Sequence, residues 1–231
     1  MRVRRLLLLA LALALLAQSL ASVFPINSVR AQSSVDALMA EMTPAEKVGQ
    51  LFLITFDGRT VPADGPLAQL IQDYHIGGVV LSSSHNNFSG TDTASSTRAL
   101  IETLQQLAWQ KSQAITDPTT PQPEDQDLPA YIPLYIGISQ KDDTGKQDQF
   151  LQDLTQLPNP MAIGATWSED NATQVGQALG RELAALGFNL YLGPSLDVVD
   201  TSDLLQAANA GTETFGGDPY WVGLLAKAYI A

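Results

Sequence analysis

The sequence predicts an α/β fold built on a parallel sheet, and three features of its patterning carry that prediction. Short apolar segments, LFLITF at 51–56, VVL at 79–81, PLYIGI at 133–138 and FNLYL at 188–192, alternate with longer amphipathic ones. Each short segment is apolar at successive positions, as suits a strand covered on both faces. Each is followed by polar or Gly/Pro residues, where the C-terminal edge of such a sheet carries its chemistry. Periodicity fits a (β/α)₈ barrel and a doubly wound sheet about equally. No G-x-G-x-x-G follows a strand, which disfavours dinucleotide binding, and no internal repeat is present. Four strands are half the number a closed barrel needs. The expected fold is therefore an incomplete (β/α)₈ TIM-barrel type, about its first half to two-thirds.

The chain in order supports this. Arg2, Arg4 and Arg5 precede an unbroken apolar run from Leu6 to Leu16, the layout of a secretory signal. Val29 and Ala31 fit the small-residue cleavage rule, so residues 1–31 are expected to be removed and the protein exported. An uncleaved anchor is the alternative, against which Gln18, Ser19 and Ser22 interrupt the run. Thr43-Pro44-Ala45-Glu46 reads as a helix start with a capping box, leading into the first strand. Pro66–Tyr74 reads as a helix presenting Leu67, Leu70, Ile71 and Tyr74, and Thr93–Ser112 as one presenting Leu100, Ile101, Leu104 and Leu107. Residues 114–130, rich in Pro and acids, read as a surface excursion. Ser168 caps a helix with Ala172, Val175, Leu179, Leu183 and Leu186 on one face, and Gly187 stops it. Asp218-Pro219 opens a last helix.

Composition narrows function. There is no Cys, which removes disulfides and thiolate metal sites. Loss of residues 1–31 takes away four Arg and no acid, leaving eight basic against 24 acidic residues and a net charge of −16. Such a surface repels nucleic acid and anionic membranes.

Six segments then point to a family: MTPAEKVGQLF at Met42–Phe52, IGGVVL at Ile76–Leu81, IPLYIGISQ at Ile132–Gln140, LPNPMAIGAT at Leu157–Thr166, GQALGRELAALGFNLYLGPSLDV at Gly176–Val198, and GTETFGGDP at Gly211–Pro219. In this order they resemble the N-terminal domain of family 3 glycoside hydrolases, the β-glucosidase and β-N-acetylhexosaminidase group. The resemblance implies a barrel that cleaves β-linked sugars with retention, using a carboxylate nucleophile and a general acid/base. It implies a carbohydrate substrate and no cofactor. The family's nucleophile follows a Lys-His-Phe-Pro-Gly-His-Gly segment that these 231 residues do not contain, so no catalytic residue is assigned. Two departures bear on the sugar site. Where relatives read Asp-Gln-Glu-Gly-Gly, this chain has Ser139-Gln140-Lys141-Asp142-Asp143. Where relatives read Arg-Ser-Phe-Gly, it has Glu213-Thr214-Phe215-Gly216, so a guanidinium fork becomes an acceptor-only carboxylate.

The candidate substrate-binding residues are Asp197, Ser139, Glu213 and Asn87, and no metal site is expected. Asp197 lies just past the fourth strand, either touching sugar or accepting backbone N–H bonds in its loop. Asn86 and Asn87 follow the second strand, where Asx-turn formation is the competing role. His85 in that loop is expected to be merely exposed. Asp57 and Glu213 sit near strand ends. Asp142, Asp143 and Asp148 lack the alternating pattern of a calcium loop and read as solvated charge. Trp167 and Trp221 are expected in the core rather than against sugar. Two functions follow: an exported glycoside hydrolase, or a secreted carbohydrate-binding relative that has lost the site.

Overall fold

The structure, a computed structural model, describes residues 35–88, 92–113, 131–140, 154–199 and 212–231. The chain divides into two units, Met1–Met42 and Thr43–Ala231. In the first, residues 35–41 are helical; the expected signal sequence and its cleavage point lie outside the described residues. No described helix is long and apolar enough to cross a membrane.

In the second unit the described elements run α1 (Pro44–Gly49), β1 (Leu53–Ile54), α2 (Pro66–Gln72), β2 (Gly78–Leu81), α3 (Thr93–Gln113), β3 (Tyr135–Ile138), α4 (Pro160–Ala165), α5 (Glu169–Leu186), β4 (Leu190–Tyr191) and α6 (Pro219–Ile230). The strands form one sheet in the order β1-β2-β3-β4, with every pair parallel. Sequential parallel neighbours joined by helical crossovers are what successive βα units of a barrel produce.

Local chemistry fixes the helix ends. The Glu46 backbone N–H donates to Thr43 Oγ1 at 3.2 Å while the Thr43 backbone N–H donates to Glu46 Oε2 at 2.7 Å, completing the capping box. Ser168 caps α5, and Gly187 ends it with a φ of 102° that L side chains rarely adopt. Asp218 Oδ1 accepts from the N–H groups of Tyr220 and Trp221 at 2.9 and 3.2 Å. Helix α4 went unread in the sequence, although Asn159, whose Oδ1 accepts from the Ala162 N–H at 2.8 Å, stands before Pro160 at the first position.

The core lies where Val79, Leu81, Ile136 and Ile138 of the central strands meet Leu100 and Leu104 of α3 and Leu179 and Leu183 of α5. A smaller apolar cluster joins Ile163, Ala172, Phe215, Val222 and Leu225. Two expectations are corrected. Helix α2 buries Ala68 and Ile71 and packs Leu67 against the core, as expected for Leu67 and Ile71, whereas Leu70 and Tyr74 are exposed, so its inner face matches the predicted one only in part. The outer strands are shorter than their apolar runs and β1 is not covered on both faces. Leu51, Phe52 and Leu53 remain exposed, and among the described residues β1 pairs with β2 alone, at Leu53–Gly78 and Ile54–Val79. Just before β4 a side chain extends the ladder to β3. Asn189 Oδ1 accepts from the Ile136 N–H at 2.7 Å and its Nδ2 donates to the Leu134 carbonyl at 2.9 Å.

Candidate functional site

Beyond the C-terminal ends of β3 and β4 the chain encloses a cavity of about 410 Å³. Its polar wall is Ser139 and Gln140 from the loop after β3, Ser195 from the loop after β4, Glu213, and the phenols of Tyr191 and Tyr229. Leu157, Pro158, Ile163, Leu179 and Leu192 supply the apolar remainder. A few polar groups over an apolar floor are the usual make-up of a small-molecule site. Ser139 brings a hydroxyl that donates and accepts, and Glu213 a carboxylate that only accepts. Both suit hydroxyl-bearing ligands.

Glu213 is held by its backbone. The Met161 N–H donates to the Thr212 carbonyl at 3.2 Å and the Val199 N–H to the Gly216 carbonyl at 3.1 Å, while Thr214 and Phe215, the next two residues after Glu213, are buried. Gly164 lets that turn close on α4: a Cβ there would lie 1.8 Å from the Phe215 carbonyl oxygen. Ser139 directly follows β3, and the next residue is tied to β4, where the Tyr191 hydroxyl donates to the Gln140 carbonyl at 2.9 Å. The peptide bond Gly193–Pro194 is cis.

Burial pushes the phenols of Tyr191 and Tyr229 up, Tyr191 further because Tyr229 adds to it. Both stay neutral hydroxyls near neutral pH. In the unfolded chain a phenol ionises near 10, so above that pH the unfolded state releases protons that the folded state keeps. Stability is therefore full below pH 10 and falls as pH rises beyond it, by about 1.4 kcal/mol per pH unit for each such phenol. Melting temperature measured from pH 8 to 11 is expected to drop past pH 10, with a shallower slope in Tyr191→Phe; parallel profiles would contradict this.

The four sequence candidates separate. Ser139 and Glu213 meet at the cavity. Asp197 is exposed and its carboxylate accepts from the Ser195 hydroxyl at 3.3 Å, so it borders the cavity through Ser195 without lining it. Asn87 is buried, and its amide is committed to backbone. Nδ2 donates to the carbonyls of Phe56 at 2.9 Å and Gly58 at 2.8 Å, and Oδ1 accepts from the Ser82 N–H at 2.9 Å. It splices the loops after β1 and β2, a tie through longer-range contacts than the Asx turn weighed above.

Sequence reasoning missed a pairing beside it. His85 Nδ1 and Asp57 Oδ1 are 2.8 Å apart on the surface. The signal lay in topology, since neighbouring parallel strands set their C-terminal loops side by side. The core placement expected for the tryptophans fails for Trp167, which is exposed, because the turn between α4 and α5 carries it outward with a positive φ. Asp142, Asp143 and Asp148 lie outside the described residues. Among the described residues no cluster of three or more His, Cys, Asp or Glu is placed to hold a metal ion.

Comparison with known proteins agrees with this architecture. The model of the glycosyl hydrolase family 3 N-terminal domain matches residues 43–231. A β-N-acetylglucosaminidase/β-glucosidase of Cellulomonas fimi is 30% identical over 197 residues, 85% of this chain and 28% of that protein. A probable β-glucosidase H of Neosartorya fischeri is 39% identical over 74 residues, 32% of this chain and 8% of its own length. Among solved structures, a family 3 β-N-acetylglucosaminidase from Paenibacillus superposes with a TM-score of 0.63 at 26% identity, over 81% of this chain and 30% of that one. The chain thus spans less than a third of the length of each of these three proteins. With the family match covering all of Thr43–Ala231 and the same parallel-sheet architecture recurring in a solved member, the chain belongs to glycosyl hydrolase family 3, through that family's N-terminal TIM-barrel-type domain.

Proposed function

We propose that this chain forms part of an exported glycosidase that hydrolyses O-glycosidic bonds of β-linked sugars, and that the cavity between β3 and β4 holds the sugar. The observation that carries the reading is the convergence of Ser139 and Glu213, from separate loops, on one partly apolar cavity. A pyranose has the matching chemistry, with hydroxyls around its edge and C–H groups on its faces. The Cellulomonas fimi relative is named a β-N-acetylglucosaminidase/β-glucosidase, which supports β-linked N-acetylglucosamine or glucose as the sugar. Export rests on Arg2, Arg4 and Arg5 before the apolar run Leu6–Leu16.

One observation favours a second reading, a secreted protein that binds carbohydrate without cleaving it. Hydrolysis by the two-carboxylate route needs a pair of acids, and Glu213 is the one carboxylate among the described residues that line the cavity. Nitrophenyl glycosides decide between them. For the whole glycosidase of which this chain is proposed to form part, release from the β-N-acetylglucosaminide or the β-glucoside, with the α-anomers untouched, is the expected result. Absence of release at saturating glycoside would overturn the hydrolytic reading in favour of the binding one.

A further inference from the structure

Trp167, Tyr220 and Trp221 form an aromatic cluster that neither the core nor the cavity uses. The Trp167 and Trp221 rings meet edge to face at 5.0 Å and 87°, and Tyr220 meets Trp221 at 5.8 Å and 80°. Two of the three are laid open to water, Trp167 at 58% and Tyr220 at 68% exposure. An edge-to-face pair leaves a ring face free, and contiguous exposed aromatics mark binding surfaces more often than chance. Trp167 also carries a φ of 52°, a left-handed conformation that is unfavourable for a bulky residue. The strain turns an indole outward that would otherwise gain by burial.

We infer that this cluster is an outer platform for a neutral, β-linked glycan chain that extends from the cavity; the inference rests on the carbohydrate reading of that cavity. Continuity argues for it. Pro160 and Ile163 of α4 line the cavity, and α4, six residues long and so about 9 Å, delivers Trp167 two residues beyond its end. From the other side Glu213 of the cavity and Tyr220 of the platform are joined by the short stretch through Phe215, which packs with Ile163 and Val222 in the smaller apolar cluster. Charge selects the occupant. Glu169, Asp170 and Asp218 flank the rings, and the chain carries a net charge of −12, which disfavours nucleic acid and anionic lipid. A glycan offers uncharged C–H faces to stack on indole and phenol.

The test compares glycan lengths. Affinities of the full chain for hexasaccharides and disaccharides of β-1,4-linked glucose and N-acetylglucosamine are measured by tryptophan fluorescence, beside retention on the insoluble polymers. Trp167→Asn combined with Tyr220→Ser removes the platform, asparagine being a residue that tolerates the left-handed backbone; an unchanged melting curve checks the fold. The wild-type chain is expected to bind the hexasaccharide about tenfold tighter than the disaccharide, a gain of about 1.4 kcal/mol. The double variant is expected to lose that gain and polymer retention, whereas Glu213→Gln weakens both lengths and keeps their ratio. A ratio unchanged in the double variant overturns the platform and leaves the cavity reading standing. Polymer retention sensitive to Trp167 but indifferent to Glu213 overturns the cavity reading, and with it a chain extending from the cavity, while leaving the aromatic cluster as a glycan contact. A wild-type chain that prefers neither length, or that is retained by anionic vesicles instead of glycan, overturns the inference.

Discussion

Replacing Asn87 with alanine is expected to lower the free energy of unfolding by about 3 kcal/mol, near the top of the range for a single substitution. The amide makes three hydrogen bonds to backbone, two to carbonyls of the loop after β1 and one from the Ser82 N–H. The residue is 1% exposed, so water does not replace what alanine removes, and each orphaned group bears its own desolvation cost. Aspartate is worse, since it would aim a carboxylate oxygen at the Phe56 and Gly58 carbonyls. Urea unfolding should show a lower midpoint at unchanged slope. The neighbouring pair gives the contrast. Asp57 is 89% exposed where it meets His85, and losing an ion pair so placed costs about 0–1 kcal/mol. Equal effects of Asn87→Ala and Asp57→Ala would contradict the role given to Asn87.

The second large effect concerns glycines that look alike in sequence. At Gly164 an added Cβ would stand 1.8 Å from the Phe215 carbonyl oxygen, whereas at Gly180 it would meet nothing within 4 Å. Gly164→Ala is therefore expected to destabilise by about 2–3 kcal/mol, because backbone on both sides must shift. It should also pull Glu213 out of register with Ser139, since both sides of the clash frame the cavity. Gly180→Ala lies in an exposed helix interior and is expected to stabilise by about 0.5–1 kcal/mol. Thermal melts of the two variants should move in opposite directions. Shifts of the same sign would show that the turn from Thr212 to Gly216 does not press on α4.

What could be read from the sequence was local chemistry. The capping box at Thr43 and Glu46, the cap at Ser168, the stop at Gly187 and the cap at Asp218 each depend on a few adjacent residues, and the structure shows all four. The parallel sheet was legible for a related reason: β2 and β3 are apolar at consecutive positions, as in strands covered on both faces, and the face carrying Val79, Leu81, Ile136 and Ile138 packs against α3 and α5. The inner face of α2 was legible only in part. Over seven residues a 3.6-residue period is satisfied by more than one face, and packing kept Leu67 and Ile71 but took Ala68 in place of Leu70. Strand ends were misjudged because a strand extends only as far as its neighbour offers backbone, and apolarity does not report that. The site was half legible. Ser139 and Glu213 were found through motif departures, but the commitment of Asn87 to Phe56 and Gly58 and the pairing of His85 with Asp57 are contacts across 28 residues or more, invisible to any local pattern. Trp167 was assigned by its hydrophobicity, whereas its backbone conformation decided its exposure.

The claim on which the functional account turns is that Ser139 and Glu213 grip one sugar at the cavity beyond β3 and β4. Titration calorimetry of the chain with methyl β-N-acetylglucosaminide and methyl β-glucoside tests it most directly, with Ser139→Ala and Glu213→Gln measured beside the wild type. Saturable binding of at least one of the two sugars, weakened about tenfold by either substitution, is the expected result. Binding that both substitutions leave unchanged, or no saturable binding of either sugar, would contradict it.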